Sequence, residues 1–397
     1  MSRKACVTPP SSPTRILYVI GSMGLGGAEQ HLLNVSGALT RAGFVCEVFA
    51  LDPEGPLRTE FERVGVPVIG VHLPKFVQRM IPHPRLRARL RLSLAAPYLL
   101  WHYWRRRPAV AHFFLPAAYI IGATMALLGP RMRRIMSRRS LNLYQTNHPL
   151  LRKVERYLHP HMSLASGNSQ AVIRDLRSEG IPDTRLRLIY NGITSDRFHS
   201  ALPRAAVRAE LGISEHCLVF AMVANLIPYK GHADLVDALS MITKQLPTDW
   251  VCLCIGRDDG IGKDLRARAA SAGVEQHLRF MGSRTDVPDL LCAADIGVLC
   301  SHEEGFSNAV LEGMSAGLPM VVTDVGGNAE AVTHTVTGLV VPPQQPARLA
   351  QALLELARAP ALRSSMGQRG RLRVQDTFSM QACIEGYVRM YATTTID

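Results

Sequence analysis

The chain has 397 residues, enough for two domains with large cores, and its composition of 47% hydrophobic and 19% charged residues excludes a largely disordered protein. Eight scattered cysteines include no CxxC pair, which favours buried free thiols over a disulfide framework. Residues 1–13 are predicted to be a flexible tail, and because they contain no apolar signal segment we expect a cytoplasmic protein.

The net charge of +13 is concentrated in one stretch of the chain. Between Arg63 and Lys153 there are 17 lysines or arginines and no acidic residue. Within that stretch, residues 79–108 alternate arginine with leucine and with Trp101, Tyr103 and Trp104. This pattern predicts peripheral binding to the anionic inner face of a membrane. A nucleic-acid groove and a solvated helix face are the alternatives, and no motif in either half supports nucleic-acid binding.

The first half begins with a predicted strand over 15–20, the loop GSMGLGG, a helix over 28–43 and a second strand over 44–50. The loop resembles a dinucleotide fingerprint, but Glu29 occupies the position of the third glycine. Asp52, after the second strand, keeps the dinucleotide alternative open. We instead expect Gly26 and Gly27 to let backbone amides approach a phosphate.

Residues 109–129 form an apolar run of about the length that spans a membrane. A transmembrane helix is therefore one interpretation. His112 and Pro116 interrupt the run, and its first residues favour a strand. The preferred prediction is a buried strand followed by a buried helix.

The second half repeats the alternation of strands and helices. A strand over 217–224 leads through the loop NLIPYKG to a helix over 232–242, and further β/α units follow. The pattern predicts two parallel, doubly wound α/β domains, at 14–200 and 201–375, which bind ligand in the cleft between them. Residues 376–397 are predicted to form a C-terminal helix that packs back on the first domain.

The segment EEGFSNAVLEGMSAGLPMVVTDVGG contains the most informative pattern. Its loop is predicted to open a helix that Ser307 or Asn308 caps and Gly317 ends. A helix start suits a phosphate, and the carboxylates of Glu304 and Glu312 suit the hydroxyls of attached sugars. A surface loop with a helix-capping glutamate is the alternative.

Three motifs together, GGAE in the first loop, NLIPYKG, and E-x7-E with its following GLP and GG, resemble the family-4 retaining glycosyltransferases of the GT-B fold. YNGI at 190–193 adds to the resemblance. It implies two Rossmann-like domains that face each other across a cleft. It also implies a nucleotide-sugar donor and a glycan or polyprenyl-linked acceptor, in cell-surface polysaccharide or glycolipid synthesis.

The same resemblance assigns roles to individual residues. The implied catalytic residues are Glu304 near the donor sugar, Lys230 on the diphosphate and His112 beside the sugar. Glu312 would bind the ribose hydroxyls. The remaining implied donor-binding residues are Gly26, Gly27, Asn225, Arg257, Ser283, Gly305, Phe306, Ser307 and Asn308. For His112, a packed core histidine is the alternative.

One departure from the family pattern concerns charge. Asn225 stands where the family usually has an arginine, five residues before Lys230, so Arg257 or Arg139 would have to compensate. The chain has no Asp-x-Asp and no metal-like His/Cys spacing, so no metal or other cofactor is expected. A catalytically silent GT-B binding protein and a sugar-nucleotide epimerase are the alternative functions.

Overall fold

The computed structural model describes residues 14–141, 145, 148–194 and 202–392. The predicted tail over 1–13, residue 201 of the second predicted domain and the last five residues of the predicted C-terminal helix lie outside the described residues.

The chain divides into two compact units. The first consists of residues 1–190 and 383–397, and the second of residues 191–382. Each unit contains one parallel sheet, and both sheets have the order of a doubly wound fold. The predicted α/β class with two Rossmann-like sheets is therefore confirmed.

The sheet of the first unit has the strand order β3-β2-β1-β4-β5-β6-β7. Its strands are β1 (Arg15–Ser22), β2 (Val45–Asp52), β3 (Val68–Ile69), β4 (Val110–Phe114), β5 (Arg133–Arg138), β6 (Leu164–Gly167) and β7 (Leu186–Leu188). The α-helices are α1 (Gly27–Arg41), α2 (Leu57–Arg63), α3 (Lys75–Met80), α4 (Pro84–Arg106), α5 (Pro116–Leu128), α6 (Pro149–Leu158) and α7 (Gln170–Ser178).

The sheet of the second unit has the order β10-β9-β8-β11-β12-β13. Its strands are β8 (Leu218–Val223), β9 (Trp250–Ile255), β10 (Leu278–Gly282), β11 (Ile296–Leu299), β12 (Met320–Thr323) and β13 (Gly338–Val341). The helices are α8 (Arg204–Glu210), α9 (His232–Ile242), α10 (Gly262–Ser271), α11 (Val287–Ala293), α12 (Asn308–Ser315), α13 (Asn328–Ala331), α14 (Pro346–Arg358) and α15 (Pro360–Thr377). The final helix is α16 (Met380–Ala392).

Both faces of the first sheet are buried, which explains why its central strands are apolar along their whole length. On β1, Ile16, Tyr18 and Ile20 belong to one core cluster, whereas Leu17 and Val19 belong to the other. The apolar run over 109–129 folds as the strand β4 and the helix α5, as the preferred interpretation predicts. Among the described residues, no helix is both long enough and apolar enough to cross a membrane.

Helix α16 contributes two tyrosines to the core of the first unit. The Tyr391 hydroxyl lies 2.6 Å from Nδ1 of His112 and 3.2 Å from the Tyr18 hydroxyl. The Tyr387 hydroxyl lies 3.0 Å from Nε2 of His31. Arg133 donates hydrogen bonds to the last carbonyls of the helix, at 2.8 and 3.0 Å. Buried polar contacts therefore tie this helix to the first sheet.

We predict that Tyr391→Phe destabilises the first unit by about 1–3 kcal/mol, because it leaves a buried ring nitrogen of His112 without its partner. Urea denaturation compared with Tyr157→Phe, which alters an exposed tyrosine, is the measurement. Equal unfolding midpoints for the two variants would mean that the hydroxyl contact contributes nothing to stability.

Candidate functional site

The carboxyl ends of two neighbouring strands bring Lys230 and Glu304 together. Lys230 ends the turn that follows β8, and Glu304 lies in the loop after β11. Glu304 Oε1 accepts a hydrogen bond from Lys230 Nζ at 2.5 Å and another from Ser301 Oγ at 2.8 Å. The structure thus pairs two of the three residues predicted to be catalytic. Ser301, which positions Glu304, carried no signal in the sequence.

Backbone contacts hold the two loops against each other. The His302 N–H donates to the Tyr229 carbonyl at 2.7 Å, and His302 Nε2 lies 2.7 Å from Asp234 Oδ2. Gly231 has a φ of 76°, and a Cβ there would lie 2.0 Å from the Cys300 carbonyl oxygen. Only glycine fits at this position, so the glycine of NLIPYKG is required for the close approach of the loops.

The glycine pair after β12 supports the same loop. Gly326 has a φ of 54°, and a Cβ there would lie 1.8 Å from the Glu304 carbonyl oxygen. The Gly327 N–H donates to the Gly305 carbonyl at 2.8 Å. The GG motif therefore positions the backbone on both sides of the Glu304–Gly305 peptide bond.

Helix α12 begins where the sequence predicts it. Ser307 is the N-cap residue, but its side chain forms no capping hydrogen bond. Within the described part of the chain, the backbone N–H groups of Ser307, Asn308 and Ala309 donate to no acceptor. Gly317 ends the segment with a φ of 83°. The helix start therefore has unsatisfied donors and the positive end of the helix dipole, which suits an anion.

Asn191 supports the turn into this helix. Its Nδ2 donates to the Phe306 carbonyl at 2.9 Å and to Asn308 Oδ1 at 2.7 Å. The Phe306 ring is buried and packs against Phe378, with 5.2 Å between the ring centroids. The side chain of Phe306 is therefore a packing group. The YNGI motif contributed to the family resemblance, but the role of Asn191 was not predicted.

Glu312 lies in the middle of α12 and is half-buried. Its carboxylate forms no hydrogen bond or ion pair with the described residues, and burial raises its pKa to about 7. Burial therefore favours the protonated carboxyl of Glu312 over the ionised one, compared with an exposed glutamate. An ionised carboxylate can accept hydrogen bonds from a pair of hydroxyls.

Three other predicted donor-binding residues lie after β8, β9 and β10. Asn225 Oδ1 accepts a hydrogen bond from the Arg257 backbone N–H at 3.2 Å. The Arg257 side chain is exposed and donates to both carboxylate oxygens of Asp259, at 2.6 and 3.1 Å. Ser283 is exposed. The structure thus places Asn225 beside Arg257, whose guanidinium is paired with an aspartate.

A histidine next to Lys230 does not supply a second positive charge. His232 is buried at the start of α9. Burial and the neighbouring Lys230 lower its pKa to about 4. His232 is therefore neutral near pH 7, so of these two basic residues only Lys230 carries a positive charge.

The predicted glycines of the first unit lie at the start of α1. Gly26 is the N-cap residue, and Gly27 is the first residue of the helix. A Cβ on Gly26 would lie 2.1 Å from Glu29 Oε2, whereas a Cβ on Gly27 would meet nothing. Burial raises the pKa of Glu29, which folds back towards the helix start. The phosphate-binding role of the two glycines stays a prediction.

His112 is fully buried on β4, with both ring nitrogens engaged. Besides its contact with Tyr391, its Nε2 lies 2.7 Å from Ser137 Oγ. Burial and the charge of Arg139 lower its pKa to about 3, so the ring is neutral. A contact with a sugar would require one of these hydrogen bonds to break. The predicted catalytic role of His112 stays a prediction.

Two further expectations concern a dinucleotide and a metal. In a dinucleotide site, the carboxylate of Asp52 would accept hydrogen bonds from a ribose. Here that carboxylate is paired with Arg91. Among the described residues, no group of three or more His, Cys, Asp or Glu side chains is arranged to hold a metal ion.

Comparisons with known proteins place these features in a family. Residues 203–373 match the model described as glycosyl transferases group 1, and residues 25–197 match the model described as glycosyltransferase family 4. The two matches together cover most of the chain, and each falls largely within one of the two units.

Two curated relatives illustrate the similarity. N-acetyl-alpha-D-glucosaminyl L-malate synthase of Bacillus anthracis is 23% identical over 281 residues, which cover 70% of this chain and 73% of that protein. D-inositol 3-phosphate glycosyltransferase of Salinispora arenicola is 31% identical over 222 residues, which cover 52% of this chain and 49% of that protein. The match therefore spans about half the length of the second relative.

Solved structures match over nearly the whole chain. Anabaena Alr3699/HepE in complex with UDP has a TM-score of 0.83 and 21% identity, with 96% of this chain and 100% of that chain covered. The complex of the same protein with UDP-glucose has a TM-score of 0.79. These likenesses confirm the GT-B fold, and with the two matching models they show that the chain belongs to the family-4 glycosyltransferases of the GT-B fold.

Proposed function

We propose that this glycosyltransferase moves a sugar from a nucleotide-diphosphate donor to a hydroxyl of a glycan or lipid-linked acceptor, with retention of configuration. The observation that carries the proposal is the Lys230–Glu304 pair within a few residues of the open start of α12. The HepE structures with UDP and UDP-glucose support a UDP-sugar as donor. Cell-surface polysaccharide or glycolipid synthesis is the proposed setting.

In the proposed complex, the donor diphosphate accepts hydrogen bonds from the first N–H groups of α12 and from Lys230. The ribose hydroxyls donate to Glu312. In the free protein, Lys230 forms an ion pair with Glu304, and both charged groups are partly buried. Binding of the diphosphate lets Lys230 contact both anions. The charge on the leaving phosphate grows as the glycosidic bond breaks, so this cation stabilises the transition state more than the bound donor.

The proposed chemistry needs no protein nucleophile. The acceptor oxygen forms its bond to the anomeric carbon on the face from which the phosphate leaves, and the leaving phosphate oxygen takes the acceptor proton. Glu304 positions Lys230 and the sugar. We propose that Lys230 and the helix amides supply the positive charge that other transferases take from a metal ion. Asn225 supplies hydrogen bonds without charge.

A second candidate, a catalytically silent binding protein, rests on Asn225 and on the pairing of Arg257 with Asp259, which together leave little cationic charge beside Lys230. A thermal-shift screen of UDP- and GDP-sugars, followed by assays of hydrolysis and transfer, separates the two functions. A nucleotide sugar at about 100 times its Kd stabilises the protein by about 2.7 kcal/mol. Stabilisation without hydrolysis or transfer would favour the silent protein. Conversion of the donor sugar without transfer would identify an epimerase.

For Lys230→Ala we predict a loss of turnover of about 10²-fold or more, because the charge on the leaving diphosphate loses its cation. Steady-state hydrolysis of the donor found in the screen is the measurement, and Lys230→Arg should restore part of the activity. Lys244→Ala, at an exposed lysine of the same unit, is the control. If folded Lys230→Ala protein has near-normal turnover, a cation other than Lys230 stabilises the leaving diphosphate.

For Glu312 we predict donor binding that strengthens with pH. The ribose hydroxyls bind the ionised carboxylate of Glu312. Because the pKa of Glu312 in the free protein is about 7, the carboxyl must lose its proton before the ligand can bind at lower pH. Affinity for the nucleotide sugar should rise about 10-fold from about pH 6 to about pH 8. Glu312→Gln should bind more weakly at the higher pH and lose this dependence. A wild-type affinity that does not vary with pH would contradict the assignment.

We further predict that transfer survives removal of divalent ions, because Lys230 and the helix amides provide the positive charge. Transfer is measured after treatment with EDTA and again after Mg²⁺ or Mn²⁺ is added back. Activity that EDTA abolishes and the metal restores would contradict the proposed mechanism.

We also propose that the first unit binds the anionic, cytoplasmic face of a membrane through α4. Leu94, Tyr98 and Trp101 are spaced three and four residues apart on this helix, and all three are exposed. Arg85 and Arg89 are exposed as well, whereas Arg91 pairs with Asp52 and Glu54 and is largely buried. Among the arginines that alternate with leucine at the start of α4, those before Arg91 are therefore the proposed membrane-binding charges.

We predict that Arg85→Ser, Arg87→Ser and Arg89→Ser together release the protein from anionic vesicles, since each charge contributes about 1 kcal/mol near such a surface. Co-sedimentation with anionic and neutral vesicles is the measurement, and binding should weaken steeply with salt. The control replaces three exposed arginines of other helices, Arg174, Arg348 and Arg369, by serine. Equal release by both triple variants would mean that vesicle binding depends on the net charge of the protein and not on the arginines of α4.

A further inference from the structure

A pocket of about 490 Å³ lies at the amino-terminal edge of the first sheet. Strands β5, β6 and β7 begin at Arg133, Leu164 and Leu186, and residues at these strand starts line the pocket. Ligands of doubly wound sheets bind at the opposite, carboxyl edge. The pocket therefore lies away from the edge where a substrate of this domain is expected, and none of the predicted site residues lines it.

Arginine dominates the lining of this pocket. Arg133, Arg134, Arg185 and Arg187 all contribute, and no aspartate or glutamate does. None of the four forms an ion pair with any other residue in the described ranges. Three of the four donate to backbone carbonyls, which are neutral, so the positive charges around this pocket are not balanced by a carboxylate.

Arg134 has the least compensated side chain of the four. It is half-buried, its Nε is buried without a hydrogen-bond partner, and its side chain donates to nothing in the described part of the chain. The Nε of Arg133 is also buried and unpaired, although its two terminal nitrogens bind α16. Buried N–H groups without acceptors are costly, so two residues of the pocket lining contain donors whose cost an added acceptor would reduce.

The other two arginines are held at the rim of the pocket. One terminal nitrogen of Arg185 donates to the Pro160 carbonyl at 2.8 Å, and one of Arg187 donates to the Thr184 and Leu186 carbonyls at 2.8 Å. These contacts fix each side chain in place while its remaining N–H groups stay available. Several arginine forks held around one cavity match the multiple oxygens of a phosphate.

We propose that this arginine pocket binds a phosphate or diphosphate group. The inference does not depend on the proposed transfer reaction. The group could belong to a soluble phosphorylated molecule or to a lipid headgroup. The lipid source has a structural basis, because Tyr157 contacts His161 of the pocket lining edge-on, with 5.6 Å between ring centroids. Tyr157 continues an exposed apolar row on α6 that includes Leu150 and Val154.

The first test measures binding of inorganic diphosphate by calorimetry in the Lys230→Ala background, which removes the cation of the proposed donor site. Diphosphate should still bind, and adding Arg134→Gln and Arg187→Gln should weaken binding at least about 10-fold, because two arginine forks are lost. Arg174→Gln, at an exposed arginine, should leave binding unchanged. Arg134→Gln alone removes no hydrogen bond or ion pair within the described residues, so this variant should fold and still weaken binding.

The second test separates the two sources with vesicles of equal surface charge that contain either phosphatidic acid or phosphatidylserine. If the ligand is a lipid headgroup, the wild type prefers phosphatidic acid, and the double arginine variant loses only that preference. If the ligand is soluble, no preference exists, but diphosphate binding still depends on the pocket. Diphosphate binding and lipid preference that are both unchanged in the double variant would overturn the proposal.

Discussion

The ion pair between Lys230 and Glu304 is the interaction on which the candidate donor site depends. Its side chains are only 19% and 10% exposed, so the charges attract each other in a medium less polar than water. Loss of either partner would leave a partly buried charge uncompensated. Strand order, glycine contacts and Ser301 fix the lysine before any ligand arrives. Such preorganisation lets a cation stabilise developing charge without rearrangement.

Burial sets the charge of the groups around this pair. His232 and Asn225 are neutral, and the Arg257 guanidinium is paired with Asp259. Among the site residues described above, Lys230 and the N–H groups of α12 therefore carry the positive charge that is left for a ligand. Burial raises the pKa of Glu312 to about 7. The site therefore combines one fixed cation with one carboxylate whose charge a ligand can change.

The sequence predicted the local features of the site better than its long-range contacts. The helix over 232–242 and the start of α12 at Asn308 follow from apolar spacing and turn residues, and both agree with the structure. The contact of Lys230 with Glu304 depends on β8 and β11 being neighbours, which periodicity does not reveal. The same limit applies to the pairing of Arg91 with Asp52, 39 residues earlier in the chain, and to the arginine pocket.

A crystal structure of the protein with UDP would show whether the diphosphate binds at the start of α12. We expect the diphosphate oxygens to lie within hydrogen-bond distance of the Ser307, Asn308 and Ala309 N–H groups and of Lys230 Nζ, and the ribose hydroxyls to contact Glu312. A diphosphate bound elsewhere on the second unit, with an empty α12 start and Lys230 still contacting only Glu304, would contradict it.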